Sequence, residues 1–286
     1  MSKGGTAALL PGAVAAFAFG ISNVLGKIAF LDGADVLALV AFRGIVGIAL
    51  LRAWLAWFPP MRAHDTRSRW IALGLGVLFA GNVSGVFGAI RVIPVPVAIL
   101  AYFIYPLLTG LGGALTGLER LSWRGWAAAL AAFAGLAVMI GAQPGGLAPL
   151  GLACAVAAAI CRTVMLLITR AALTDVDPRL TTWYSLVSSS VVLVVACVLT
   201  QDWQPPAGPV GWSAFLGASV TTTVAILALF ASTVRIGPFR TALMMNLEPV
   251  VSTVLALAVL GEGVTPVQLA GGALMIAALC AFQLGR

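Results

Sequence analysis

The sequence predicts an all-α integral membrane protein of ten transmembrane helices in two inverted five-helix repeats. Three observations predict it: an apolar composition, ten bilayer-length apolar stretches, and a pattern that returns with a constant offset between the two halves. Of 286 residues, 61% are hydrophobic and 9% charged, whereas an ordinary soluble domain carries about 25% charged residues. Too few polar side chains remain to cover a water-soluble globule, and a bilayer supplies an apolar solvent for the excess surface.

Stretches of about 20 apolar residues are long enough to cross the hydrocarbon core. Five of them run at about 8–30, 36–57, 70–90, 94–117 and 123–141. Five more run at about 149–171, 180–200, 209–233, 238–260 and 265–284, and Gly, Pro or charge separates each from the next. The first follows Lys3 and is too long for the apolar region of a signal peptide, so it is expected to be a retained helix. Asp32 and Asp35 precede the second, His64 and Asp65 the third, and Arg91 the fourth. Glu119 stands before the fifth, Asp175 and Asp177 before the seventh, Asp202 before the eighth, Arg235 before the ninth and Glu262 before the tenth. No stretch is left over for a soluble domain.

Lysine and arginine give the spans a sidedness, because cytoplasmic loops retain positive charge. One side collects Lys3, Arg52, Arg62, Arg67, Arg69, Arg120, Arg124, Arg170, Arg179, Arg235, Arg240 and Arg286, and the other has Lys27 and Arg91. Both termini are therefore expected in the cytoplasm, in the inner (plasma) membrane of a cell. Arg43 and Arg162 lie within spans. The net charge of +7 follows from this distribution, and basic groups spread singly between apolar segments do not make a nucleic-acid surface.

A shift of 143 residues carries Ile93 onto Ile236, Pro106 onto Pro249, Glu119 onto Glu262 and Ser122 onto Thr265. Residues 1–143 and 144–286 are then two copies of one unit. Five is odd, so the copies enter the membrane from opposite sides, the pattern of transporters that expose a site alternately to each face.

Several function classes are short of parts. His64 is the single histidine, and Cys154, Cys161, Cys197 and Cys280 lie in apolar stretches without paired spacing. Disulfide frameworks, zinc sites and His-based nucleophilic centres are therefore not expected, nor is enzymatic activity. A phosphate loop ending in Gly-Lys-Ser/Thr is absent, which removes ATP as the direct energy source. No cofactor or metal is expected. The expected partners are membrane lipid and a small-molecule solute.

Phe19-Gly20-Ile21-Ser22-Asn23 with Lys27, Arg43 in the second span, and Arg240-Thr241-Ala242, Glu248-Pro249, Gly261-Glu262 and Gln268 to Gly271 together resemble the EamA family of the drug/metabolite transporter superfamily. The resemblance covers nearly the whole chain. In the first half its counterpart is Pro106 with Glu119, where Leu118 replaces the Gly that precedes the Glu. It implies two inverted five-helix repeats around a central cavity and the export of amino acids or other small metabolites. Among such proteins the chain looks most like bacterial exporters of aromatic and other hydrophobic amino acids, with Phe19 where many relatives have Trp. A broader drug or metabolite exporter of the same fold is the alternative, and adaptable Met244 and Met245 suit it.

The candidate substrate-binding residues are those that interrupt the apolar spans at central depth. Glu248 is the one acid deep in a span, either a substrate-ammonium or proton site or a structural partner of Arg43 or Arg162. Arg162 is too deep to snorkel and either binds a carboxylate or forms an ion pair that fixes helix packing. Arg43 lies nearer the outer end of its span and is expected to be structural. Asn23, Asn82, Tyr102, Tyr105, Thr222 and Asn246 either line the cavity or bond between helices. Trp183 and Tyr184 do the same or join an interfacial aromatic belt beside Arg179. Phe19, Phe79 and Met245 complete a largely apolar, aromatic lining that suits a Phe or Trp side chain better than a phosphate. Pro106 and Pro249 are expected hinges: neither can donate a backbone hydrogen bond, so the carbonyls of Tyr102 and Met245 are expected to be freed, either to bind a cation or to mark a bend.

Overall fold

The structure is a computed structural model describing residues 3–60, 64–93, 95–119, 122–140, 148–200, 203–261 and 265–284. Arg62, Arg120, Asp202, Glu262 and Arg286 lie outside the described residues. All the regular structure among them is helical. The helices are α1 (Lys3–Leu31), α2 (Val36–Trp57), α3 (Thr66–Ile90), α4 (Val95–Tyr102), α5 (Tyr105–Leu115) and α6 (Trp123–Ile140). They continue as α7 (Pro149–Ala172), α8 (Pro178–Thr200), α9 (Pro209–Ile236), α10 (Pro238–Met244), α11 (Leu247–Leu260) and α12 (Pro266–Leu284).

Twelve segments make ten spans, because two of the expected spans are broken in the middle. The fourth is α4 followed by α5 and the ninth is α10 followed by α11. Eight stretches are membrane-length, Ala98–Leu115 and Pro238–Leu260 among them, and the apolar segments Trp123–Val138 and Pro266–Ala278 supply the remaining two. Large apolar side chains such as Phe17, Leu130, Val191 and Leu269 are exposed along these helices, as a lipid solvent permits. The chain is a multi-pass membrane protein.

The helices gather into two compact units, each drawn from both halves of the sequence. One comprises residues 1–80 and 172–232: α1, α2, most of α3, α8 and most of α9. Its core sets Ala29, Ala34, Ala38 and Leu39 against Ala214, Phe215 and Ala218, and the alanines let α1, α2 and α9 approach closely. Where α3 meets α8 the approach is backbone to backbone: a Cβ on Gly76 would collide with the Ser185 carbonyl. Ser185 and Ser188 donate from there to the carbonyls of Ala72 and Leu73 at 2.9 and 2.6 Å.

The other unit comprises residues 81–171 and 233–286: the end of α3, α4 to α7, the end of α9, and α10 to α12. In it α6 packs on α12 and α5 on α10. Gly135 of α6 lies so near the Gly271 carbonyl and Met275 that a Cβ would fall 2.8 Å from each. Ala128, Ala129 and Ala132 of α6 meet Phe239 and Leu243 of α10 and Ala278 of α12.

The loop contacts obey the parity of a ten-span chain, in which only loops an even number of spans apart can meet. The first loop joins the seventh, with Asp35 N–H donating to the Gln204 carbonyl at 2.8 Å and Gly208 N–H to Asp32 at 2.6 Å. The second joins the sixth region, with His64 Nε2 and Thr181 Oγ1 3.1 Å apart and Arg179 donating to the Phe58 carbonyl at 3.0 Å. In the other unit Ile93 after α3 packs on Gly151 at the start of α7. Glu119 after α5 meets the N-terminus of α10.

Candidate functional site

The second of these units contains seven of the expected binding residues: Asn82, Tyr102, Tyr105, Arg162, Met245, Asn246 and Glu248. Both expected hinges, Pro106 and Pro249, are there too. Each proline stands at the start of a half-helix, the position where a missing N–H costs no helical bond. The chain therefore leaves the helix shortly before each proline, at Phe103–Ile104 and at Met245–Asn246, two places that the shift of 143 brings within one residue of each other.

The broken backbone finds local partners. The Ile104 carbonyl accepts from Leu107 and Leu108 N–H at 3.0 and 3.1 Å. The Tyr105 carbonyl accepts from the hydroxyls of Thr109 at 2.7 Å and Thr163 at 3.3 Å. In the other break Asn246 N–H donates to the Leu243 carbonyl at 3.1 Å, and Glu248 N–H donates to the Met245 carbonyl at 3.0 Å. The expectation of a freed Met245 carbonyl is thus corrected. Proline removes the i to i+4 bond, but a tighter i to i+3 turn takes its place, so that oxygen is a weaker candidate for a cation, and the helix is broken at this point.

Tyr105 is the centre of the group. Its side chain is 1% exposed, and its hydroxyl donates to the Ala242 carbonyl on α10 at 3.4 Å. The Arg162 guanidinium carbon lies 5.8 Å from its ring centroid, with Arg162 itself 3% exposed. At that distance a cation is attracted to the aromatic face. The rings of Tyr102, Phe103 and Tyr105 form a triangle with centroids 5.3 to 5.7 Å apart. Charges of both signs reach it: Arg162 and Glu248 each act electrostatically on Tyr102 and Tyr105. The Asn82 amide donates to the Ala158 carbonyl at 2.9 Å, which fixes the end of α3 on α7 beside Tyr102. Met245 and Asn246 are buried, and Glu248 is half-buried.

A buried guanidinium, a carboxylate and three clustered rings, one pair edge to face and two tilted, can bind a zwitterion with an apolar side chain. Arg162 offers planar paired donors to a carboxylate, Glu248 attracts an ammonium, and the rings take up apolar surface. Three of the participants escaped the sequence reading. Thr109 and Thr163 hold the broken backbone, and Phe103 completes the triangle. Thr109 carried a signal, since it stands one helical turn after Tyr105 and can bond back to it.

The remaining expected residues belong to the other unit. Phe79 is buried, with the Arg43 guanidinium carbon 6.0 Å from its ring centroid, a packing partner for an arginine expected to be structural. Phe19 is buried and Asn23 is exposed. Thr222 shares a 2.6 Å hydrogen bond with Ser22, which joins α1 to α9. Trp183 and Tyr184 stack edge to face at 5.0 Å, and Tyr184 lies 5.7 Å from the His64 ring near the loop end of α8. Burial lowers the His64 pKa, with Asp177 and Asp65 pulling it back up and Arg69 adding to the fall.

Ten apolar spans, two of them broken at matching prolines around buried charged and aromatic side chains, define a multi-pass membrane transporter. A model of the EamA-like transporter family matches residues 6–141 and again residues 149–282, so the chain belongs to that family and carries its unit twice. No curated protein matches it. A crystal structure, described only as that of a protein, is similar at a TM-score of 0.82 over 96% of both chains, with 20% sequence identity. That likeness shows the fold.

Proposed function

We propose that the protein is a secondary transporter that exports hydrophobic and aromatic amino acids from the cytoplasm by alternating access. One observation supports the reading: the buried Arg162 guanidinium lies 5.8 Å from the Tyr105 ring centroid where α4 gives way to α5, in the same unit as Glu248. In this reading the substrate carboxylate meets Arg162, its ammonium group meets Glu248, and its side chain lies against the Tyr102, Phe103 and Tyr105 rings. Asn82, Met245 and Asn246 complete the site. Phe19, Asn23, Phe79, Trp183, Tyr184 and Thr222 are further substrate-binding candidates by residue type and depth in their spans.

The repeats are residues 1–143 and 144–286 in inverted orientation, with Pro106 and Pro249 as paired hinges. The Lys and Arg bias supports cytoplasmic termini in this reading, with the protein in the inner membrane. Glu248 is the one acid deep in a span, so coupling to a proton gradient would run through it.

Buried, flexible Met244 and Met245 favour a second reading, a broader drug or metabolite exporter of the same fold. Competition for labelled phenylalanine flux in proteoliposomes separates the two. A narrow exporter is inhibited by Trp, Tyr and Leu and ignores apolar cations and nucleotide sugars; inhibition by all of them identifies the broad one.

A further inference from the structure

Glu119 lies outside the spans, and the reading above gives it no part. Its backbone and side chain nevertheless close two helix ends at once. At the end of α5, Thr116 N–H donates to Gly112 and Glu119 N–H to Gly113, at 3.0 and 3.1 Å, with Gly117 in the left-handed region at φ 71°. These bonds satisfy carbonyls that the helix leaves without partners. The Glu119 carboxylate then accepts the Phe239 N–H, in the first turn of α10, at 3.0 Å. Its other oxygen sits on Gly237, where a Cβ would collide with it and where φ is 92°. Arg170 attracts the carboxylate from α7 and itself donates to the Val234 carbonyl at the end of α9.

The α5–α10 pair is therefore tied at both ends, by Glu119 at the loop and by Tyr105 on Ala242 near the break. α10 has 7 residues, roughly 10 Å of helix, and Met245, Asn246 and Glu248 follow it directly. A tie at its N-terminus thus bears on where those side chains stand. A neutral acceptor would serve the Phe239 N–H without the desolvation that raises the Glu119 pKa. What the carboxylate adds is attraction to Arg170 and to the positive end of α10.

We propose that Glu119 is a positioning residue for the substrate site, setting α10 against α5 and so Asn246 and Glu248 against Tyr105. The proposal rests on the reading of those residues as substrate-binding. The test combines labelled phenylalanine transport in proteoliposomes with methyl NMR of 13C-methionine protein, in which the Met245 methyl reports the far end of α10 without any substrate. Glu119→Ala is expected to shift the Met245 resonance and to raise KM about tenfold, the scale of one lost charge-assisted hydrogen bond. Glu119→Gln, which keeps an acceptor for Phe239, is expected to restore most of both. If Glu119→Ala does not fold, Gly237→Ala pushes on the same contact and is read in the same way. An unmoved Met245 resonance overturns the proposal whatever the substrate, and a moved resonance with unchanged KM overturns the link to the site. Absence of phenylalanine transport by the unmodified protein overturns the substrate reading instead, and with it the link to the site, while the resonance still decides whether Glu119 holds α10.

Discussion

Arg162→Lys keeps the positive charge and discards the planar guanidinium, so it separates the two things Arg162 can contribute. In the structure the guanidinium carbon stands 5.8 Å from the Tyr105 ring centroid, and the side chain is 3% exposed. A desolvated cation–π contact is worth about 2 kcal/mol, against about 0.5–1 kcal/mol at an exposed site. Lysine places a compact ammonium on a flexible stem and also cannot offer a carboxylate two parallel donors. That ring contact is already made without substrate and so bears on Tm, whereas loss of one charge-assisted hydrogen bond to the substrate carboxylate, about 1.5–3 kcal/mol, corresponds to roughly a ten- to hundredfold rise in KM. The assay is the concentration dependence of labelled phenylalanine uptake into proteoliposomes, with thermal unfolding of the same detergent-solubilised preparations alongside. A raised KM with an unchanged Tm assigns the guanidinium to substrate. A lowered Tm with an unchanged KM would refute that reasoning and make Arg162 a packing residue held by Tyr105.

Three further predictions follow from the same geometry. Glu248→Gln is expected to abolish uptake driven by an imposed pH gradient while leaving exchange of substrate across the membrane measurable; gradient-driven uptake at the unmodified rate would remove Glu248 from the coupling. Burial holds the His64 pKa below its ordinary value, so the folded protein resists protonation there, and the stability that His64 contributes is full above pH 6.5 and lost as pH falls through the folded-state value. Tm is therefore expected to fall between pH 7.5 and pH 5.5, and less so in His64→Gln; equal slopes would contradict this. Gly76→Ala drives a methyl group into the Ser185 carbonyl, a backbone atom that cannot rotate away. It is expected to cost about 1–3 kcal/mol or more, seen as a lower Tm and a lower yield of folded protein, and an unchanged Tm would contradict backbone contact between α3 and α8.

The spans were legible in the sequence because a bilayer demands length and apolarity, which a sequence displays directly. The breaks were legible for a related reason: Pro106 and Pro249 lack N–H groups, and the structure leaves the helix just before each of them. The fate of the Met245 carbonyl was not, since the turn that brings Glu248 N–H to it is a property of backbone geometry. Nor was the grouping of the candidate residues. Asn82 and Arg162 come together with Glu248 across about 170 positions of sequence, while Thr222 pairs with Ser22 in the other unit. In lipid the outward faces of helices are as apolar as the packed ones, so periodicity does not say which way a side chain points. The double cap at Glu119 escaped for another reason: its acid was visible, but the N–H that it accepts belongs to a helix 120 residues away.

The central claim is that the site takes amino acids with large apolar side chains. Uptake of labelled Phe, Trp, Thr and a nucleotide sugar into proteoliposomes of the purified protein, against protein-free liposomes, tests it most directly. Saturable flux of Phe or Trp is expected, with Thr weaker and the nucleotide sugar at background. Saturable flux of the nucleotide sugar with no flux of any amino acid would contradict it.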